Sequence, residues 1–374
     1  MSNESLIIDD GLRISDYPKI AIIILNWNGW KDTIECLESL YRITYQNYDV
    51  IIVDNGSKDE SIEMLKEYCE GKIKIESEFY EYDPSIKPIK IIEYTKDESE
   101  TGGCNNVELE NVSSNRKLIL IKNEKNYGFA EGNNIGMRYA LSSSADYILI
   151  LNNDIVVSPD FLTELIKVTE MDSQIGIAGP TCYYYNWPDI IWATGVRINW
   201  WTGRMRDIVG RGTLDKGQYH GIMEVDGVTG CAMLIRKQVL DMISLFDSSF
   251  PFGNEDDEFC IRARRRGPFK VVYIPNSKIW HKVARSRKKL MGNLMERHAL
   301  IGQDGDLRLK SRFQFFKICS PSRLSYISQG IFYFVIALPW SALLYMKKRG
   351  PKATIVRIGC VIIDLKNLVV SAFH

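Results

Sequence analysis

Apolar residues gather in short unbroken runs, and the intervals between them take on helical spacing. Ile20–Leu25, Val50–Val53, Lys117–Ile121 and Tyr147–Leu151 are aliphatic almost throughout, as expected of strands covered on both faces of a parallel sheet. Ile34, Leu37 and Leu40 recur at helical intervals within Lys31–Tyr41, and a helix is expected around Asn134–Leu141. Ser57 with Glu60 reads as a capping box for a helix running to about Cys69. Ser158-Pro159-Asp160 predicts another, with Ser158 as N-cap and Pro159 at the first helical position. This alternation predicts an α/β fold, a Rossmann-like, mostly parallel sheet flanked by helices, with ligands at the carboxyl ends of its strands.

Two stretches depart from that rhythm. Gly71–Arg116 is polar, carries Pro84, Pro88 and Gly102-Gly103, and holds one expected strand at Ile89–Tyr94; its length marks an inserted loop region with a function of its own. Between Ile175 and Met223, Trp187, Trp192, Trp200 and Trp201 lie among turn residues, which predicts antiparallel strands around an aromatic-lined region. A strand at Val228–Ile235, helices at Lys237–Leu245 and Asp256–Arg266, and a last strand at Lys270–Ile274 complete the expected domain.

The tail has a third pattern. Leu324–Met346 runs for 23 residues without a charge and is followed by Lys347-Lys348-Arg349. That length could span a bilayer, or lie on one as interfacial helices, or fold into the domain as a buried helix. The basic flank suits the cytoplasmic face of the cell membrane. The expected organisation is a polar tail at 1–18, an α/β domain at 19–285 with the insert at 71–116, and a C-terminal helical, membrane-associated region at 286–374.

Composition narrows the picture further. Lys+Arg and Asp+Glu balance at 47 each, which argues against a nucleic-acid partner. The 8 cysteines are scattered without a C-x-x-C pair, a pattern of neither a zinc site nor a disulfide framework, and one that fits a reducing compartment. Met1–Pro18 is polar and acidic, without the basic and apolar regions of a signal peptide.

Candidate chemistry clusters at the ends of the expected strands. Asp54 could accept a hydrogen bond from a nucleobase or a ribose, or simply close a turn and cap a helix. Asp154, in Asn152-Asn153-Asp154, could bind Mg²⁺ or Mn²⁺, or merely terminate its strand. Asp256, in Gly253-Asn-Glu-Asp-Asp-Glu258, could act as a general base, or belong to a set of acids favoured by a helix dipole. Arg262 could neutralise phosphate. His281, expected just beyond the last strand, could be a second metal ligand or a structural histidine. Asn126–Asn134 holds two Gly and three Asn ahead of a helix and could bring backbone N–H groups to a ligand. Neither G-x-G-x-x-G nor a P-loop motif occurs.

Taken in order, Ile23-Ile-Leu-Asn-Trp-Asn-Gly29, Val53-Asp-Asn-Gly-Ser57, Asn126-Tyr-Gly-Phe-Ala-Glu-Gly-Asn-Asn134, Leu151-Asn-Asn-Asp154, Val228-Thr-Gly-Cys-Ala-Met-Leu-Ile235, Gly253-Asn-Glu-Asp256 and Ile279-Trp-His281 closely resemble glycosyltransferase family 2, in its rhamnosyltransferase-like branch. The resemblance covers about residues 19–285. It implies a GT-A fold and an inverting transfer from a nucleotide-sugar donor, dTDP-rhamnose or a UDP-sugar, to a glycan or lipid-linked glycan. It further implies a divalent cation (Mg or Mn) at Asp154 and His281, and Asp256 as catalytic base. Asn26, Asp54, Gly128, Asn134, Asn153 and Arg262 are the expected donor-binding residues. The motif departs from D-x-D, since its first position is Asn152. Other readings are a polyprenyl-phosphate glycosyl synthase, whose phosphate acceptor is already ionised, and a non-catalytic nucleotide-sugar-binding scaffold.

Overall fold

A computed structural model describes residues 17–101, 112, 116–207, 210–218, 221–251, 253–283 and 310–332. The first strand, β1 (Ile20–Asn26), lies in the middle of an 11-stranded sheet. It is flanked in parallel by β2 (Tyr48–Asp54) on one side and β5 (Tyr147–Asn152) on the other. Beyond β2 come β4 (Lys117–Lys122) and β3 (Lys90–Thr95), also parallel. Every residue of β2 is buried, because helices cover both faces: α1 (Trp30–Leu40), α2 (Ser61–Cys69) and α5 (Phe161–Met171) on one, and α4 (Gly128–Ser142), α6 (Lys237–Ile243) and α7 (Glu255–Arg266) on the other. The chain leaves β1 toward β2 and returns to its opposite side with β5. That reversal opens a crevice at the strand ends, where open α/β sheets bind ligands.

Past β5 the sheet becomes mixed. β12 (Ala232–Arg236) pairs antiparallel with both β5 and β7 (Ile175–Tyr184), and β7 runs parallel to β13 (Lys270–His281). The antiparallel strands expected after Ile175 are present: β8 (Trp187–Ala193) against β7, β9 (Val196–Asn199) against β10 (Arg204–Asp207), and β11 (Met223–Glu224) against β13. The three-residue β6 (Ile155–Val157) folds back from β5 onto the end of β13 and sets His281 opposite Ile155.

Several expected boundaries move, each for a local reason. Ser57 does not cap α2: its hydroxyl donates to Asp54 at 2.6 Å, and α2 begins only at Ser61, whose N–H Asp59 accepts at 3.1 Å. Ser158 likewise is not the N-cap of α5: its hydroxyl donates to Asp160 Oδ1 at 2.8 Å, and α5 starts after Asp160. α4 begins six residues before the expected Asn134, because Gly128 takes φ +83 and Asn126 Oδ1 accepts its N–H at 2.8 Å. β13 continues past Ile274 through a register shift before Lys278 and ends on His281 itself.

The 71–116 stretch is anchored where it is described. Ser77 and Tyr80 donate to Glu35 on α1 (2.8 and 2.9 Å), and α3 (Lys96–Glu100) pairs with α4 through Glu100 and Arg138 at 2.7 Å. At the far end a helix at 310–319 and another, α9 (Arg323–Phe332), follow; taking the first as α8, its Phe315 and Phe316 join Ile198, Phe250 and Ile261 in a small third core. No helix among the described residues is long and apolar enough to cross a membrane. Most of the uncharged run (333–346) and its basic flank lie outside the described residues, as do 1–16 and 284–309.

Candidate functional site

Parallel pairing brings the ends of β1, β2 and β5 level, with Asn26 beside Asp54 and Leu25 beside Asn152. Asp54 is almost wholly buried. Its Oδ2 accepts from Asn26 Nδ2 (2.7 Å) and Ser57 Oγ (2.6 Å), and its Oδ1 from the Ser57 N–H (2.9 Å). A carboxylate offers about four lone-pair positions, so three bonds fix this group and leave it room for one more. Asn26 is held from behind by Thr33, whose hydroxyl donates to its Oδ1 at 2.7 Å and accepts from Asn153 Nδ2 at 3.0 Å. Asp54, Asn26 and Asn153 therefore form one network. Gly29 lets α1 approach it, since a Cβ there would stand 2.6 Å from Asn153 Nδ2. Sequence reasoning missed Thr33; a hydroxyl on the buried face of an amphipathic helix just after a strand end was its available signal.

The turn after β5 presents Asp154, and β13, paired with β6, carries His281 against it. His281 Nε2 and Asp154 Oδ1 lie 3.0 Å apart with both side chains buried, and the Trp192 ring meets the imidazole edge-on at 4.4 Å. Burial opposes the charged form of each, but the mutual attraction outweighs it, raising the imidazole's pKa and lowering the carboxyl's. Nδ1 of His281 is buried without a partner among the described groups. The next residue, Lys282, clamps this strand end to α1 by reaching Asp32 (2.7 Å) and Glu35 (2.5 Å).

A hard carboxylate oxygen beside an imidazole nitrogen is a donor set that Mn²⁺ or Mg²⁺ accepts. No group of three or more His, Cys, Asp or Glu among the described residues could hold an ion by itself. The Asp154–His281 pair by itself offers two such donors.

Asp256 approaches from the opposite side of the sheet. Gly253 (φ +78) and Asn254 (φ +70) turn the chain through left-handed conformations, so that α7 opens on a run of four acids. Gly230 N donates to Asp256 Oδ2 at 2.7 Å, and Asp257 N to its Oδ1 at 3.0 Å. The following residue, Cys231, accepts the Asn152 N–H at 2.8 Å. Asp256 is thus joined through Gly230-Cys231 to the strand end that bears Asp154. Burial pushes its carboxyl up, against the pull of those backbone donors, and burial with the neighbouring Asp256 charge pushes Glu255 to about 8.

Other expected residues are engaged in the fold instead. Asn134 is buried, and its amide clamps Phe246, donating to the carbonyl (3.0 Å) and accepting the N–H (3.1 Å). Arg262 forks onto Glu258 at 2.9 Å and donates to the carbonyls of Ile243 and Leu245, which leaves no guanidinium edge directed at a phosphate. Gly128 keeps its place beside the crevice, where Asn55 Nδ2 donates to its carbonyl at 3.1 Å.

Comparison with known proteins places the chain in a family. Residues 21–81 match the model for glycosyl transferase family 2, and residues 85–299, more than half of the chain, match that for glycosyltransferase-like family 2. The low-salt glycan biosynthesis hexosyltransferase Agl10 of Haloferax volcanii is 28% identical over 162 residues, 42% of this chain and 50% of that protein. Mouse (Mus musculus) hyaluronan synthase 2 is 26% identical over 149 residues, 39% of this chain and 25% of that one. The chain spans half or less of these relatives. Among solved structures, GalNAc-T7 with UDP, GalNAc and Mn²⁺ superposes with a TM-score of 0.50 at 13% identity, over 90% of this chain and 58% of that one, a likeness of fold. The sheet is the mixed, mostly parallel sheet of the GT-A type, and the chain belongs to glycosyltransferase family 2.

Proposed function

We propose that the protein is an inverting glycosyltransferase that moves a sugar from a nucleoside-diphosphate sugar to a hydroxyl of a glycan or lipid-linked glycan. One observation carries this reading: the Asp54 network, the Asp154–His281 pair and Asp256 meet along one edge of the sheet, linked by hydrogen bonds to the chain segments Asn152–Asp154 and Gly230-Cys231. Asp54, with its remaining acceptor position, receives a nucleoside N–H or hydroxyl. Asp154 and His281 would hold Mg²⁺ or Mn²⁺, and that cation would supply positive charge against the charge developing on the departing diphosphate. Asp256 takes the proton of the acceptor hydroxyl as that oxygen attacks the anomeric carbon; the bond to the diphosphate breaks on the opposite face, inverting the centre. Burial raises this carboxyl above the usual carboxylate range, which makes it a stronger base than a free aspartate. The motif resemblance favours dTDP-rhamnose as donor, and UDP-sugars are the next to test.

The same reading puts the enzyme on the cytoplasmic face of the cell membrane. α9 exposes Leu324, Ile327 and Ile331 along one stripe, and the uncharged run that they open ends in Lys347-Lys348-Arg349.

Release of nucleoside diphosphate, followed with and without cell-envelope glycan extract, tests the roles. Asp256→Asn should lower turnover by roughly 10²–10⁴ while donor affinity stays unchanged, and the anomeric configuration of the product should be opposite to that of the donor. Full turnover in Asp256→Asn, or a retained configuration, would remove the base or the inverting mechanism.

A further inference from the structure

β13 has a second chemistry on its other face. His281 lies opposite Tyr184 of β7, and Trp280 opposite Tyr183; because successive side chains alternate, Trp280 turns from the Asp154–His281 pair into a separate cavity. That cavity has a volume of about 380 Å³, within the ~300–1,000 Å³ of small-molecule sites. Trp280, Tyr183 and Pro188 form its apolar wall, and Asp189, Asp215 and Lys278 its polar lining.

The wall is fixed in advance. Trp280 Nε1 donates to Pro188 O at 3.2 Å, and its ring stacks at 27° on Tyr183 (6.2 Å between centroids) and lies 4.8 Å from Phe79. Tyr183 is anchored in turn by Asp215, which accepts its hydroxyl at 2.5 Å. A held aromatic plate with carboxylates beside it suits the C–H face and neighbouring hydroxyls of a sugar ring. Two carboxylates against one lysine disfavour a phosphate or a nucleotide. The site stands one residue along the strand from His281, on the opposite face, so its occupant is not the reacting ring.

We propose that this cavity is a carbohydrate subsite that holds a second sugar unit of the acceptor, beside the one whose hydroxyl is glycosylated; this rests on the transferase reading given above. The test is saturation-transfer difference NMR on the full chain with maltose, cellobiose, lactose and methyl α-mannoside. At least one should receive saturation through its ring C–H protons. Trp280→Ala should weaken that binding by about tenfold or more, whereas Trp280→Phe, which keeps a plate, should retain most of it and guards against a folding artefact. Thermal stabilisation by UDP-sugar with Mn²⁺ should be unchanged in both variants. Absence of transfer to all four sugars, or undiminished transfer in Trp280→Ala, overturns the subsite. Sugar binding that depends on Trp280 in a protein that no nucleotide sugar stabilises would instead overturn its role in an acceptor site.

Discussion

Asp54, Asp154, Asp256 and His281 were legible in the sequence because each closes a strand or opens a helix, and such positions fall at the edge of an open sheet. Their partners were not. Thr33 left a local signal that was missed, whereas Trp192 and Lys282 reach the site through contacts across 89 and 250 positions, fixed by the packing of β8, β13 and α1. Asn134 and Arg262, from the same motifs, bond to the carbonyls of the loop at Ile243–Phe246, a contact no local pattern foretold. The acids at the start of α7 carry a measurable cost. Glu255 is buried and raised from about 4.5 to about 8, so stability is complete below its unfolded value and is lost as pH rises through that window. Urea unfolding should show the wild type losing on the order of a few kcal/mol between about pH 5 and about pH 8, and Glu255→Gln losing clearly less. An identical pH slope in the two proteins would contradict this assignment.

At the scale of elements, the continuous aliphatic runs announced the central strands because burial on both faces leaves no polar alternation to disguise them. Helix starts were harder. Ser57 and Ser158 are good caps by residue type, yet their hydroxyls donate to Asp54 and Asp160 instead. Between α4 and the sheet, glycine sets the distance: a Cβ at Gly132 would come within 2.6 Å of Leu25 Cδ1, and one at Gly136 within 2.6 Å of Ile23 Cγ2. Gly136→Ala should therefore destabilise the fold by about 1–3 kcal/mol through overpacking. Gly132→Ala should cost about as much and also disturb Asn55, whose Nδ2 such a Cβ would approach to 3.1 Å. Calorimetric melting of both variants checks this, and unaltered transitions would show that the contact relaxes freely.

Among the described residues two large cores cover the sheet, and in a smaller one α8 and α9 rest on Trp200 and the β9–β10 pair. Ser328 of α9 also donates to Trp201 O at 2.9 Å. α9 is therefore docked by one side while Leu324, Ile327 and Ile331 remain outside. On the membrane reading, the double substitution Leu324→Glu and Ile327→Glu should reduce sedimentation with phosphatidylglycerol-containing vesicles several-fold and leave nucleotide-sugar binding intact. Equal sedimentation of both proteins would place membrane contact elsewhere in the chain.

The claim on which the rest depends is that a cation at Asp154 ties the donor to the sheet edge. Its most direct measurement is thermal unfolding of the full chain across dTDP-rhamnose and a set of UDP-sugars, with and without Mn²⁺. A ligand at 100 times its dissociation constant stabilises the folded state by about 2.7 kcal/mol. One nucleotide sugar should raise the melting temperature of the wild type by several degrees with Mn²⁺ and much less without it, and Asp154→Ala should abolish the difference. A donor that stabilises wild type and Asp154→Ala equally, or indifferently to Mn²⁺, would contradict the account.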